Sequence, residues 1–339
     1  MPNGTGLFGY NSSSQSAVVV QKPGSSSLFY IFTTNPYDEN GGFRYSLVDM
    51  SANGETGAIT AKNVLLTNST CEKISVIKHS NGQDVWVVTH MLDSDAFYAC
   101  LVTAAGISPA QSISHAGSMV PADEDRSNAI GYMKISPDGK KLAVCHTFLN
   151  KTELFDFDTT TGHVSNGQEI CTDQQPYGVE FSPDNNVLYI SSMEWLNYKL
   201  YQFDLNAANI GDSKIVVGSF TQNPGALQLA PNGKIYLAMA ETDKLTVINN
   251  PNHIGIGCNV GVNAVDLNGR MCMLGLPSFN QSIFYTKVNS QNLCAGGNTA
   301  FSYESAYANP ISISWNFGDA STSIQPSPHT TTTIRARIP

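Results

Sequence analysis

The stretch from Pro176 to Asp204, PYGVEFSPDNNVLYISSMEWLNYKLYQFD, constrains this chain more than any other. Three short runs in it, GVEF, VLYIS and KLYQFD, carry the β-branched and aromatic residues of strands, and Ser182-Pro183-Asp184-Asn185-Asn186 supplies turn chemistry between the first two. Such a unit is an antiparallel meander. It recurs upstream as GYMKISPDGKKLAVCHTFLNKTELFDFD, ending at Asp158, and downstream as GALQLAPNGKIYLAMAETDKLTVIN, ending at Asn249. The turns begin at Ser136, Ser182 and Ala230, spaced by 46 and 48 residues; the third strands end at Asp158, Asp204 and Asn249, spaced by 46 and 45. Two landmarks therefore share one period. A period in the forties built from four short strands marks the blades of a β-propeller, because one blade cannot bury both of its faces and must stack on its neighbours.

Two further blades precede these three. Residues 16–66 read as SAVVVQ, LFYIFTT, RYSLVDM and AITAKNVLL, and residues 72–113 as KISVIKH, DVWVVTH, FYACLVT and ISPAQSI, with Gly- and Asn-containing turns between the runs. The polar segment His115 to Asn128, with Asp123-Glu124-Asp125, reads as a surface loop. After Asn249 the stretch CNVGVNAVDLNGRMCMLGLPSFNQSIFYTKV holds two or three strands, fewer than a blade. The N-terminal segment around Leu7 to Tyr10, or the first strand, is expected to complete the last blade and close the ring. Six blades are expected, with seven as the alternative, in a propeller spanning residues 1–286.

The totals narrow the function classes. Net charge is −9, charged residues make up 13%, and Lys and Arg nowhere cluster, which argues against a nucleic-acid partner. No apolar run approaches the roughly 20 residues that span a bilayer, and the N-terminus MPNGTGLFGYNSSSQ lacks the basic and hydrophobic parts of a signal peptide. Of the seven cysteines, Cys100 and Cys145 fall within strands as small hydrophobes, and Cys71, Cys171, Cys258, Cys272 and Cys294 fall near strand ends or loops; no CxxC pair occurs.

From Thr286 the character changes. In residues 287–339, FSYES and SISWNFGD read as strands of a small sandwich. Trp315-Asn316-Phe317-Gly318-Asp319 resembles the WDFGDG signature of PKD domains, and Pro328-His329-Thr330 resembles the NPxHTY that follows it. The ending TTIRARIP departs from that pattern, so a partial PKD-type, Ig-like β-sandwich is expected. With KISPDGKKLAV, PYGVEFSPDNNVLYIS and LQLAPNGKIYLA before it, the arrangement resembles the N-terminal part of large exported surface proteins of gliding-type Bacteroidota, whose C-termini carry gliding-motility-associated or type IX secretion sorting domains. The resemblance implies a WD40- or YVTN-like propeller at the cell surface or outside the cell, in a monomer or a larger multidomain chain. With export, the spacing of Cys258 and Cys272 suits a disulfide.

Catalytic motifs are missing: there is no GxSxG, HExxH, P-loop or GxGxxG followed by a helix. Asp156, Asp158 and Asp204 read as turn caps, and Trp86 and Trp315 as core residues. His90 and His146 both follow second strands and are the candidate metal ligands; the matching positions in other blades, Thr33 or Thr34, Ser192 and Met239 or Ala240, make no ligand set. Trp195, flanked by Glu194 and Tyr198, lies in a loop where an aromatic stacks on a sugar or anchors a protein. Asp93, Asp95, Asp123 and Asp125 complete the candidate binding residues. No cofactor is required, although a structural cation such as calcium would suit the acidic loops. The expectation is a non-catalytic display module whose loops 91–95, 115–128 and 193–198 recognise an extracellular protein or polysaccharide. The alternatives are a lactonase-like hydrolase with a metal in the central channel, and a spacer in a long surface protein.

Overall fold

The structure is a computed structural model that describes residues 1–37, 41–172, 175–284, 286–291, 298–305, 313–317 and 321–331. Two compact units result, Met1–Ser282 and Ile283–Pro339.

The first unit contains five four-stranded antiparallel sheets. Blade one is β1 (Ala17–Gln21), β2 (Leu28–Asn35), β3 (Gly42–Asp49) and β4 (Ala58–Thr67); blade two is β5 (Ser75–Lys78), β6 (Val85–His90), β7 (Ser94–Thr103) and β8 (Gly106–Val120). Blade three is β9 (Met133–Ile135), β10 (Lys141–His146), β11 (Lys151–Asp158) and β12 (His163–Thr172). Blade four is β13 (Pro176–Phe181), β14 (Val187–Ser192), β15 (Lys199–Asp204) and β16 (Ile215–Ser219). Blade five is β17 (Pro224–Leu229), β18 (Ile235–Met239), β19 (Lys244–Ile248) and β20 (Val260–Asp266).

Burial follows strand order. β13, β14 and β17 are buried along their whole lengths, whereas the fourth strands β4, β16 and β20 are largely accessible. The first strands of blades two to five, β5, β9, β13 and β17, are therefore the inner ones and the fourth strands the outer ones, whereas β1 of blade one alternates between buried and exposed residues. Apolar side chains of neighbouring blades interlock between the sheets: Val18, Phe32 and Phe43 of blade one meet Val76, Val87 and Tyr98 of blade two. Trp86 and Phe97 pack with Leu142 and Phe155, and Cys145 and Leu154 pack with Val179 and Leu188. Burying both faces of each sheet in this way is what a single repeat cannot do alone.

The turn chemistry acts as its residues suggest. Ser182 Oγ donates to Asp184 Oδ1 at 2.6 Å and accepts from the Val187 amide at 2.9 Å, and Ser136 Oγ donates to Asp138 Oδ1 at 2.7 Å. Asp158 accepts from the Thr160 amide at 2.8 Å, and Asp204 from the Asn206 amide at 2.9 Å. Asp158 and Asp204 cap turns, as their position at strand ends predicts, but Asp156, also expected to cap a turn, lies within β11 and accepts instead from Lys141 Nζ at 2.6 Å and Asn166 Nδ2 at 2.7 Å.

Three expectations are corrected. The sixth or seventh blade is not found among the described residues: Val260–Asp266, read as part of a last blade, pairs with β19 as the fourth strand of blade five. Between Asp266 and Ser282 the described residues form no named strand and make isolated bridges, Cys272 with Thr242 and Asn280 with Val76. The N-terminal residues do not complete a last blade either. They follow the outer strand of blade one, where Asn63 Oδ1 accepts from the Phe8 amide at 2.8 Å, the Ile59 amide donates to Pro2 O at 3.2 Å, and the Arg44 guanidinium lies 4.6 Å from the Phe8 ring centre. Finally, Cys258 and Cys272 are separate buried thiols. Cys258 precedes β20 beside Tyr189, whereas Cys272 pairs with the β18–β19 loop, so the alternation of strand direction puts them at opposite ends of blade five. A reducing agent is expected to leave the melting temperature unchanged; a marked fall in calorimetry would show a disulfide after all.

The second unit has a three-stranded sheet, β21 (Thr286–Gln291), β22 (Asn298–Ser305) and β25 (His329–Thr331), and a two-stranded one, β23 (Trp315–Asn316) and β24 (Thr322–Ser323). Phe301, Trp315 and Phe317 group together, with the Phe301 and Phe317 rings 5.2 Å apart, and Trp315 Nε1 donates to Gln325 O at 2.9 Å. Gly318 and Asp319 of the PKD-like signature, Cys294 and the ending 332–339 lie outside the described residues.

Candidate functional site

In an antiparallel blade the β2–β3 type of loop and the link to the next blade emerge at one end, and the other two turns at the opposite end. One rim thus carries the loops around residues 91–93, 147–150, 193–198 and 240–243, together with the inter-blade links. On this rim the chain's own segments meet the axis.

Residues 14 and 15 are locked between blades two and three. Ser14 donates from its amide at 2.7 Å and its Oγ at 2.8 Å to Glu72 Oε2, and its Oγ accepts from the Gly131 amide at 3.1 Å. Gln15 Nε2 donates to Ile74 O at 2.9 Å and Met133 O at 3.1 Å, while its Oε1 accepts from the Met133 amide at 2.8 Å. The amide side chain thereby copies a strand's hydrogen bonding across two blades. From the other side, Leu274 O accepts from the Ala226 amide at 2.7 Å, Asn280 bridges in parallel to Val76, and Ser282 Oγ accepts from the Lys78 amide at 2.7 Å. Residues 274–282 accordingly run from the inner strand of blade five to that of blade two. Gly178 and Gly225 permit the close approach: a Cβ on Gly178 would meet Gly225 O, and one on Gly225 would meet the Leu274 backbone. Between residues 11–17, Tyr177 and residues 273–278 lies a cavity of about 600 Å³.

Deeper along the axis the inner strands are joined by a buried polar network. Lys134 Nζ lies 3.0 Å from Glu180 Oε2 and donates to Gln228 Oε1 at 2.6 Å; Glu180 also accepts from the Leu229 and Phe181 amides, each at 3.0 Å. All three side chains are almost wholly buried. They occupy one repeated position, two residues before the turn, in KISP, EFSP and QLAP. A polar residue recurring at spacings of 46 and 48 in otherwise apolar strands is the trace this network leaves in the sequence.

Trp195 is 76% exposed and Leu196 84% exposed, at the tip of the β14–β15 loop. Leu196 has φ +62°, a left-handed conformation that a branched apolar residue seldom adopts. The loop is held by Met193 N donating to Gln175 O at 3.0 Å and Asn197 N to Glu194 O at 2.9 Å. Glu194 is used internally, accepting from Asn197 Nδ2 at 2.6 Å, and Tyr198 is buried, its ring meeting Trp195 edge to face at 6.4 Å. On the same rim Phe148 of the β10–β11 loop is half exposed.

The acidic residues are gathered differently from the expectation. Asp93 and Asp123 share one corner: Asp93 Oδ1 accepts from the Ala122 amide at 2.7 Å, and Asp123 accepts from Ser127 Oγ and, at 3.1 Å, from the Asn128 amide. Asp125 Oδ1 accepts from the Ser127 amide at 3.2 Å. Burial opposes ionisation of Asp123, but the Ser127 and Asn128 bonds hold its carboxyl below the usual range. Asp95 stands apart, within β7, where a hydrogen bond from His115 Nδ1 at 2.6 Å lowers its pKa. Residues His115–Val120 belong to β8 rather than to a loop, because Ser94 pairs with Val120 and Ala96 with His115 around a bulge.

His90 and His146 do come together, ring centres 5.4 Å apart, but in the interface of blades two and three. His90 Nδ1 donates to Met91 O at 2.7 Å; His146 Nε2 faces Glu153 Oε2 at 3.1 Å, and Glu153 Oε1 accepts from Ser118 Oγ at 2.7 Å. Burial pushes the His90 pKa down to about 3 and that of His146 to about 4. Burial resists ionisation of Glu153, yet its bonds from His146 and Ser118 bring it to about 2. Among the described residues no three His, Cys, Asp or Glu side chains form a group that could hold a metal ion.

Sheet order and the packing between blades define the class: the chain is a propeller-type all-β protein. No family model and no curated protein matches it. Among solved structures it is similar to a provisionally named 6-phosphogluconolactonase from Bacteroides uniformis, with 15% identity, TM-score 0.45, and 70% of this chain and 68% of that one covered. It is also similar to a provisionally named TolB from Agrobacterium tumefaciens, with 12% identity, TM-score 0.45 and coverages of 78% and 85%. Hydrazine synthase from Kuenenia stuttgartiensis shows 19% identity, TM-score 0.44 and coverages of 78% and 70%. No helix among the described residues is long and apolar enough to cross a membrane.

Proposed function

We propose that this chain is a non-catalytic recognition module of a secreted or cell-surface protein, binding an extracellular polysaccharide or protein with the rim that carries Trp195. The observation that carries this reading is the Trp195–Leu196 tip: two large apolar side chains held in solvent by an ordered loop, one of them in a backbone conformation that costs energy. An indole displayed in this way is the kind of anchor in which binding energy concentrates. The rigid blades beneath fix the loop, so little ordering entropy is lost on binding. The PKD-like signature in the second unit supports a surface location, and the resemblance to exported proteins of gliding-type Bacteroidota supports type IX secretion as the route.

A thermal-shift screen of the full chain against neutral and acidic polysaccharides, followed by calorimetry, tests the reading. Trp195→Ala is expected to leave the melting temperature nearly unchanged, since the side chain is mostly exposed, and to weaken binding by about 2 kcal/mol, roughly thirtyfold. Unchanged affinity in the Trp195→Ala protein would remove the tip from the binding surface.

A further inference from the structure

The cavity beside the axis has a wall chemistry that selects its ligand. Its polar wall is the segment 11–16. Ser14 and Gln15 spend their side chains on Glu72, Gly131, Ile74 and Met133, anchoring the segment to two blades. Asn11, Ser12 and Ser16 make no side-chain hydrogen bond among the described residues, whereas the Ser13 Oγ is buried away from the open space of the cavity. Free hydroxyls and an amide are thus presented on a backbone that cannot shift without breaking the Ser14 and Gln15 bonds. The opposite wall, Met273, Leu274, Leu276 and Pro277, is apolar and is fixed through Leu274 O to blade five. No side chain lining the cavity carries a charge at neutral pH.

We propose that this cavity binds an uncharged sugar residue, resting on the recognition role assigned to the same rim. A pyranose has hydroxyls around its edge and a C–H face, which match a wall of unpaired neutral donors and acceptors and an apolar wall facing it. The volume, about 600 Å³, is in the range of small-molecule sites and exceeds what one ring needs. A carboxylate, phosphate or ammonium group would lose its hydration here and find no counter-charge on the walls, so anionic and cationic ligands are disfavoured. Because both walls are already anchored, binding costs little reorganisation.

The test is saturation-transfer NMR and calorimetry on the full chain. The probes are glucose, galactose, mannose and N-acetylglucosamine, their β-linked oligomers, glucose 6-phosphate, and a neutral Gly-Ser peptide. At least one neutral sugar is expected to bind saturably, at least tenfold more tightly than glucose 6-phosphate. Ser16→Trp, which fills the cavity, is expected to abolish binding, and the milder Ser12→Ala to weaken it about tenfold with the melting temperature retained. Trp195→Ala should leave monosaccharide binding unchanged, so loss of the rim reading and loss of this one are separate results. No saturable sugar binding, preference for the phosphorylated sugar or the peptide, or binding indifferent to both serine variants would each overturn the proposal.

Discussion

Replacing Lys134 by Met is expected to lower the free energy of unfolding by about 3–5 kcal/mol, the usual consequence of leaving one member of a buried ion pair alone. Glu180 would keep its two amide donors, from Leu229 and Phe181, but its charge would have no cation within the axis. Glu180→Ala should cost at least as much. It strands the Lys134 ammonium with Gln228 as its remaining partner and leaves the Leu229 amide without an acceptor. Because both changes damage one network, the Lys134→Met/Glu180→Met double variant is expected to lose clearly less than the sum of the two single losses. Urea unfolding at constant pH reads all three. A loss below 1 kcal/mol for either single change would mean that the inner strands are not tied through these side chains.

The second large effect is acid sensitivity seated between blades two and three. His90 and His146 have folded-state pKa values of about 3 and about 4, lowered first by burial, against 6.5 when unfolded. Between those values the unfolded chain binds more protons than the folded one, so stability rises with pH there. The stabilisation is complete above pH 6.5 and is lost as pH falls from 6.5 toward 4 and 3. Glu153, at about 2 when folded against 4.5 unfolded, acts in the same direction, with its part lost as pH falls from 4.5 toward 2. The groups facing the pair are Lys73 and Lys151, both cationic neighbours that disfavour protonation, together with Glu153, the Cys71 thiol 3.8 Å from His90 Nδ1, and Asp95. Together these shifts amount to several kcal/mol, on the order of 1.4 kcal/mol per pKa unit. Urea midpoints measured from pH 8 to pH 4 should fall steeply below pH 6.5, and His90→Phe should flatten that fall. A flat profile in the native protein would contradict the burial of both rings.

Much of this fold is legible in the sequence because the blade is a local object. Turn residues such as Ser182-Pro183-Asp184 and Ser136-Pro137-Asp138 sit at fixed offsets from runs whose burial follows strand order, so the five meanders could be placed without any long-range information. What the sequence hid is non-local. Val260–Asp266 looks like any strand, and nothing in its residues says whether it ends one blade or begins another; its pairing with β19 decides that. Segments 11–17 and 273–282 carry no strand pattern, and they earn their place through hydrogen bonds to residues more than 50 positions away. Trp195 could be singled out because a tryptophan amid polar loop residues is conspicuous. The acidic residues could be named too, but not their use: in the folded chain Asp123, Asp125 and Glu194 cap their own loops, and Asp93 ties its loop to the link after β8 through the Ala122 amide. A carboxylate's partner depends on loop geometry that composition does not encode.

The central claim is that recognition resides on the rim that carries the β14–β15 loop and the axial cavity. Hydrogen–deuterium exchange of the full chain, with and without the polysaccharide giving the largest thermal shift, tests it most directly. Slowed exchange at residues 11–17, 193–198 and 273–278 is the expected result, with the turns at 136–140, 182–186 and 230–234 unchanged. Protection confined to those opposite turns, or conversion of the polysaccharide to shorter products during the experiment, would contradict it.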